Sequence, residues 1–216
     1  MGIAFFDLDR TIVSCNTATL WTRREVRLGH MSRWQALRAA WWIGLYHLGA
    51  AAMEDAIERA VATLAGVRED SIRTRSLALW QEEVVALVRP GARTAVARHR
   101  ARGDRLVLLT TSSNYLSEPV TAELGLDEYV CNRFEVVDGV FTGVPVRPLC
   151  FGAGKLRYAR EVAARAAVEL SACAFYTDSF SDLPLLAAVG EPVAVHPDPR
   201  LAREARRRGW RTELWD

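Results

Sequence analysis

The sequence predicts an α/β protein, a parallel sheet with helices on both faces and an all-helical insertion after the first strand. Three observations predict it. Short continuous apolar runs alternate with helical segments, the pattern of a sheet covered on both sides. A long stretch from about Thr17 to Val88 is helical in patterning and contains no proline. Acidic or hydroxyl residues follow several of the apolar runs, where the carboxyl ends of parallel strands gather reactive groups.

The elements follow in order. Ile3 to Leu8 is an apolar strand running into acidic residues. In the insertion, the segment 54–64 places Ala56, Ile57, Ala60, Val61 and Leu64 at helical spacing. Gly29, Gly49 and Gly66 end helices there. Arg89-Pro90-Gly91 closes the region, and Ala92 to Arg102 is a helix stopped by Gly103. Arg105 to Thr111 is a buried strand, followed by a helix from Ser117 to Leu124. Asp138-Gly139, between Phe134-Glu135-Val136-Val137 and Val140-Phe141-Thr142, predicts a hairpin near 133–146. Then come a helix from Gly154 to about Glu169, a strand from Cys173 to Tyr176 and a helix from Leu183 to Ala188. A strand, Pro192 to Val195, and a helix, Pro199 to Arg208, complete the pattern. The division expected is a core of residues 1–15 and 86–216 and a helical unit of residues 16–85.

Composition narrows the function classes. Of 216 residues, 50% are hydrophobic and 25% charged, which is ordinary for a globular domain and argues against a disordered or fibrous chain. The formal net charge of +2 demands no acidic partner. Arg200, Arg203, Arg206, Arg207, Arg208 and Arg211 cluster near the end, and a solvated helix face accounts for them better than nucleic acid does. Cys15, Cys131, Cys150 and Cys173 lack metal-type spacing and read as reduced thiols in a cytoplasmic protein. The most membrane-like window, Ala39 to Met53, is shorter than the ~20 residues needed to span a bilayer. A buried helix is the favoured reading of it, and contact with lipid or an apolar substrate is the other. Trp21, Trp34, Trp41, Trp42 and Trp80 are likewise read as core, with an apolar substrate wall as the second reading.

The chemistry is expected at the strand ends. Asp7 and Asp9, two residues apart, project to one side of an extended chain, and a divalent cation is the usual remedy for such crowding. A plain acidic turn is the alternative. Thr110-Thr111-Ser112-Ser113 offers hydroxyls and amides to phosphate oxygens, although such residues also populate ordinary turns. Lys155 opens a helix after Gly152-Ala153-Gly154, and nearly every other basic residue is Arg. A lysine kept there suggests a task for a compact ammonium group. Asp178 and Asp182, spaced i and i+4, are expected on one face of a helical turn.

Together these motifs, in this order, resemble the haloacid dehalogenase superfamily of phosphohydrolases. Phe5-Phe6-Asp7-Leu8-Asp9-Arg10-Thr11 looks like its first motif and Leu108-Leu109-Thr110 its second. Gly154-Lys155 looks like the third and Thr177-Asp178-Ser179-Phe180-Ser181-Asp182 the fourth. The insertion is similar to the C1 caps of the phosphoserine phosphatase-like branch, subfamily IB. The hairpin and the segment from Pro148 to Lys155 point to the same branch.

The resemblance implies a Rossmann-like core and a phosphomonoester hydrolase working through an aspartyl-phosphate. It implies Asp7 as nucleophile and Asp9 as the acid that protonates the leaving oxygen and then activates water. It implies Mg²⁺ held by Asp7, the Asp9 carbonyl and Asp178. Lys155 and Thr110 would balance phosphoryl charge, with Thr111 also near the phosphate, and Asp182 would hold a metal-bound water or orient Lys155. Arg10 stands where the family most often has Gly, and its amide is still expected to face phosphate. Where phosphoserine phosphatases carry a substrate-binding Glu, this chain has Asn16, which cannot supply that charge. The expected substrate is a small phosphate ester such as phosphoserine or a related amino acid or amino alcohol phosphate. A lipid-phosphate phosphatase at a membrane surface and a non-catalytic phosphate-binding protein are the alternatives.

Overall fold

The computed structural model describes residues 2–34, 37, 38, 41 and 53–216. Its centre is β1 (Ile3–Phe6), buried along its whole length. On one side lie β2 (Arg105–Ser113) and β3 (Glu128–Asn132), and on the other β6 (Cys173–Thr177), β7 (Glu191–Val195) and β8 (Arg211–Glu213). The sheet order is β3-β2-β1-β6-β7-β8, and every pairing is parallel. The strands build outward from β1 through β2 and β3 on one side and then through β6, β7 and β8 on the other, and a crevice opens at the carboxyl ends of the central strands.

Alternation along β1 sends Phe5 and Phe6 to opposite faces. Phe6 joins Leu106, Leu108 and Tyr176 beneath α4 (Pro90–Ala101) and α5 (Asn114–Leu124). Phe5 joins Val107, Leu109 and Phe175 beneath α6 (Ala153–Arg165) and α8 (Pro199–Arg208). A short helix, α7 (Leu183–Leu186), packs on this second face through Leu185 and Leu186.

The insertion contains α1 (Thr17–Arg27), α2 (Met53–Ala62) and α3 (Glu69–Leu79), then a π-helical turn, Trp80–Val84, and a 3₁₀ turn, Val85–Leu87. It leaves and re-enters the core at one place. The Ser14 amide donates to the Leu87 carbonyl at 3.0 Å, and the Arg89 amide to the Ile12 carbonyl at 2.9 Å. The hairpin is β4 (Phe134–Val137) with β5 (Val140–Pro145). Its turn residues Asp138 and Gly139 both have positive φ, 51° and 75°, as a tight twisted turn requires. It braces the insertion, for the Gly66 and Glu69 amides donate to the carbonyls of Phe141 and Gly139.

Several expectations change. β1 ends at Phe6, because Leu8 already lies in a turn. β3 and β8 were not expected from the sequence. β3 mixes Glu128 and Asn132 into an edge strand, and β8 is three residues long with two charges. Neither carries the continuous apolar run that marks an interior strand. Of the tryptophans read as core, Trp80 is buried and Trp21 half-buried, but Trp34 and Trp41 are exposed. Trp42, Gly49 and the window from Ala39 to Met53, apart from Trp41 and Met53, lie outside the described residues. Among the described residues no helix is long and apolar enough to cross a membrane.

Candidate active site

Asp7 follows β1 directly, and its amide donates to the Tyr176 carbonyl of β6 at 2.9 Å. That bond continues the β1–β6 ladder and seats Asp7 at the strand end. Lys155, in the first turn of α6, reaches across and donates to Asp7 Oδ1 and Asp182 Oδ2, each at 2.7 Å. All three side chains are buried, so the ammonium and the two carboxylates form a compact ionic cluster. Burial alone would lower the Lys155 ammonium, but Asp182 and Asp7 together raise it. Burial also pushes Asp7 up to about 7, against the pull of Lys155 and with help from Asp182.

Asp182 is fixed a second time by the Thr177 hydroxyl, which donates to Oδ2 at 2.7 Å. Its other oxygen, Oδ1, is buried with no hydrogen-bond partner among the described residues. Asp178 is buried beside the cluster, and its amide donates to the Thr11 hydroxyl at 3.0 Å. Burial, then the nearby Asp7 and Asp182 carboxylates, push it up to about 8. The expected helical turn is absent here. Asp178 sits in a bend after β6 and Asp182 ends a 3₁₀ turn, Phe180–Asp182, so a loop brings them together.

Asp9 sits beyond the end of β1, so the extended-strand argument for pairing it with Asp7 does not hold. The chain turns at Leu8, and Arg10 has a φ of 57°. That left-handed backbone is one glycine adopts freely. The Arg10 amide donates to the Cys15 carbonyl at 2.9 Å, which corrects the expectation that it faces phosphate. Asp9 Oδ1 accepts from the Thr17 amide at 2.7 Å, at the start of α1. Burial raises its carboxyl, with the Thr17 bond opposing.

The remaining expected residues divide. Thr110 is buried within β2, with its hydroxyl accepting from the Ser112 amide at 3.1 Å. The Thr111 hydroxyl donates to the Cys150 carbonyl at 3.0 Å, which gives it a structural task. Asn16 caps α1, its Oδ1 accepting from both the amide and the hydroxyl of Thr19 at 2.9 Å. The cap explains an Asn at that position without reference to a ligand.

Two supporting residues were not expected. Asn132 is buried at the end of β3. It donates to the Thr111 carbonyl and accepts from the Cys150 amide, both at 2.7 Å. It thus ties the carboxyl-terminal part of β2, next to Thr110, to the segment leading into Lys155. Asp198 caps α8 through the Arg200 and Leu201 amides and also accepts from the Phe180 amide at 2.7 Å. It holds the loop carrying Asp178 and Asp182. An Asp before a Pro-initiated helix is a readable cap signal, and Asn132 would have stood out had β3 been recognised.

A divalent cation fits this donor set. Two carboxylates, Asp7 and Asp182, share one ammonium group, Asp178 beside them is raised by burial and then by these acidic neighbours, and Asp182 Oδ1 is left over. Among the described residues no three Asp, Glu, His or Cys side chains close around one point. Two carboxylates completed by carbonyl and water oxygens are the pattern Mg²⁺ accepts, rather than the all-protein cage of zinc.

Comparison with known proteins supplies a family and a fold. A family model described as haloacid dehalogenase-like hydrolase matches residues 4–187. A Mycobacterium tuberculosis H37Rv protein named probable phosphatase is 32% identical over 211 residues, 96% of this chain and 73% of that one. A Neisseria meningitidis histidinol-phosphatase is 26% identical over 215 residues, 97% of this chain and 96% of its own. Among solved structures, a Bordetella pertussis protein of unknown function superposes with a TM-score of 0.89 at 26% identity, covering 97% and 96% of the two chains. A phosphoserine phosphatase carrying a phospho-aspartyl intermediate analogue superposes at 0.72 with 17% identity, covering 99% and 91%, a likeness of fold.

Proposed function

The chain belongs to the haloacid dehalogenase-like hydrolase family as one of its phosphatases, and we propose that it hydrolyses a small phosphate monoester through a phosphoryl group carried on Asp7. The observation that carries this reading is the buried Lys155 ammonium bridging Asp7 and Asp182, residues far apart in sequence, at the carboxyl ends of β1 and β6. Catalysis of phosphoryl transfer is largely positioning and charge compensation, and this cluster supplies both.

In the proposed reaction Asp7 attacks phosphorus and the alkoxide leaves. Lys155 holds Asp7 Oδ1, so Oδ2 is the oxygen left to attack. Asp9, oriented by the Thr17 amide, gives its proton to the leaving oxygen and then takes one from the water that cleaves the acyl phosphate. Thr110 and Lys155 pair with phosphoryl oxygens, and Asp182 keeps Lys155 in place. Asp7, Asp178 and the Asp9 carbonyl would hold Mg²⁺, which when bound supplies positive charge against the phosphoryl oxygens. Residues 16–85 serve as the cap over this cleft.

The substrate class proposed is a phosphorylated amino acid or amino alcohol, of the kind the histidinol-phosphatase relative is named for. Asn16 is engaged as a helix cap, so recognition of a substrate amino group falls to other residues. Phosphate release from a panel of phosphorylated metabolites tests the reading. Turnover should need Mg²⁺, stop with EDTA and vanish in Asp7→Asn with the fold kept. Substantial turnover by Asp7→Asn would show that the nucleophile lies elsewhere. Binding without turnover of any ester would leave only a phosphate-binding protein.

A further inference from the structure

Arg33, Trp34, Leu37, Arg38 and Trp41 are all helical and all exposed. At about 100° per residue, Trp34, Leu37 and Trp41 share an arc of roughly 60°. Arg33 borders that arc on one side and Arg38 on the other. The exposure is large, 78% for Trp34, 58% for Leu37 and 65% for Trp41. Single exposed apolar residues need no explanation, but an aligned stripe of three, two of them indoles, marks an interaction surface. The sequence that carries it bears one sign of charge. No Asp or Glu occurs between Glu25 and Glu54, while Arg27, Arg33 and Arg38 all fall in that interval.

We propose that this face docks on an anionic lipid surface, with Trp34, Leu37 and Trp41 entering the headgroup region and Arg33 and Arg38 pairing with lipid phosphates. An apolar stripe with indoles, flanked by Arg on both edges, is the arrangement of a helix lying in a membrane interface. Nucleic acid would engage the arginines but leave Leu37 without a use. A second copy of the chain would bring the same positive charge against itself. The inference stands on these five residues and does not depend on the catalytic reading.

Co-sedimentation of the full chain with vesicles tests it. Vesicles of phosphatidylcholine containing phosphatidylglycerol should pellet the protein, and phosphatidylcholine alone should not. Added salt should weaken the binding. Exchanging both arginines, R33E with R38E, should weaken partitioning by on the order of thirtyfold or more. The triple variant W34S, L37S, W41S should stay in the supernatant while its circular dichroism matches wild type, since these side chains are exposed. Wild-type protein left in the supernatant with anionic vesicles would overturn the proposal. So would a triple variant that pellets like wild type. A wild-type dimer in light scattering, made monomeric by the triple substitution with no vesicle binding, would assign the face to a second copy instead.

Discussion

Lys155 is the only lysine among the chain's 28 basic side chains, and it is the one that is buried between two carboxylates. Replacing it with Met would leave Asp7 and Asp182 buried with no cation between them. Removing one partner of a buried ionic cluster costs about 3–5 kcal/mol. Lys155→Met should therefore lower the unfolding free energy measured in urea by that amount, with the midpoint moving down, and abolish turnover. An unchanged midpoint would mean that solvent already screens the cluster. Asn132 acts at one remove, by joining the Thr111 carbonyl to the Cys150 amide. Asn132→Ala strands the buried Cys150 amide and the half-buried Thr111 carbonyl, at a cost of about 1–3 kcal/mol. Because it loosens both the carboxyl-terminal part of β2 and the approach to Lys155, kcat should fall on the order of tenfold to a hundredfold while KM changes little. Loss of stability with kcat intact would reduce Asn132 to a structural residue.

Among the elements, α6 matters most, since its first turn delivers Lys155. It starts at a tight contact between Gly154 and the Leu149 carbonyl, where an added Cβ would come closer than real Cβ atoms approach. Gly154→Ala must push the start of α6 away from the loop that precedes it. The expected result is a large loss of phosphatase activity with the helical circular dichroism retained, because the helix moves without unwinding. Wild-type activity in that variant would show that α6 need not sit so close. The hairpin β4–β5 is an element with a second task. Its turn residues alone identify it, whereas its service as a brace for the α2–α3 connection follows from the Gly66, Val67 and Glu69 backbone bonds.

For the whole molecule, one buried network ties the amino-terminal end of the sheet to its centre. Asp104 Oδ1 accepts from the Gly2 amide at 2.7 Å, Asp104 Oδ2 lies 2.8 Å from His99 Nδ1, and His99 Nε2 lies 2.8 Å from the Tyr176 hydroxyl. Tyr176 in turn stacks on Phe6, next to Asp7. Burial pushes the Asp104 carboxyl up, but the His99 bond, the Gly2 amide and Arg102 outweigh it and hold it below its ordinary 3.8. A carboxyl lowered by folding stabilises the folded state above its unfolded value and loses that contribution as pH falls through the folded one. Asp104→Asn should therefore be less stable than wild type at pH 7, with the gap closing below pH 3.8. Urea titrations at a series of pH values check this, and a gap independent of pH would assign the effect to packing.

The sequence by itself determined the class of fold, the interior strands and the acidic, hydroxyl and lysine residues at their ends, because apolar periodicity and residue chemistry are local properties. It also determined the hairpin turn and the exact span of α8. Only the tertiary structure decided how those residues meet. The pairing of Asp7 with Asp9 and of Asp178 with Asp182 was expected from strand and helix geometry, yet both pairs are shaped by turns held by hydrogen bonds outside the ladders, the local one from Arg10 to Cys15 and the long-range one from Asp178 to Thr11. Asn16 became a helix cap, Thr111 and Asn132 became ties between segments, and Trp34 and Trp41 turned outward. The ties made by Thr111 and Asn132 and the outward turn of the tryptophans depend on which segments become neighbours in space, and one-dimensional patterning does not encode that for a single side chain, whereas the Asn16 cap is a local bond to Thr19 three residues on.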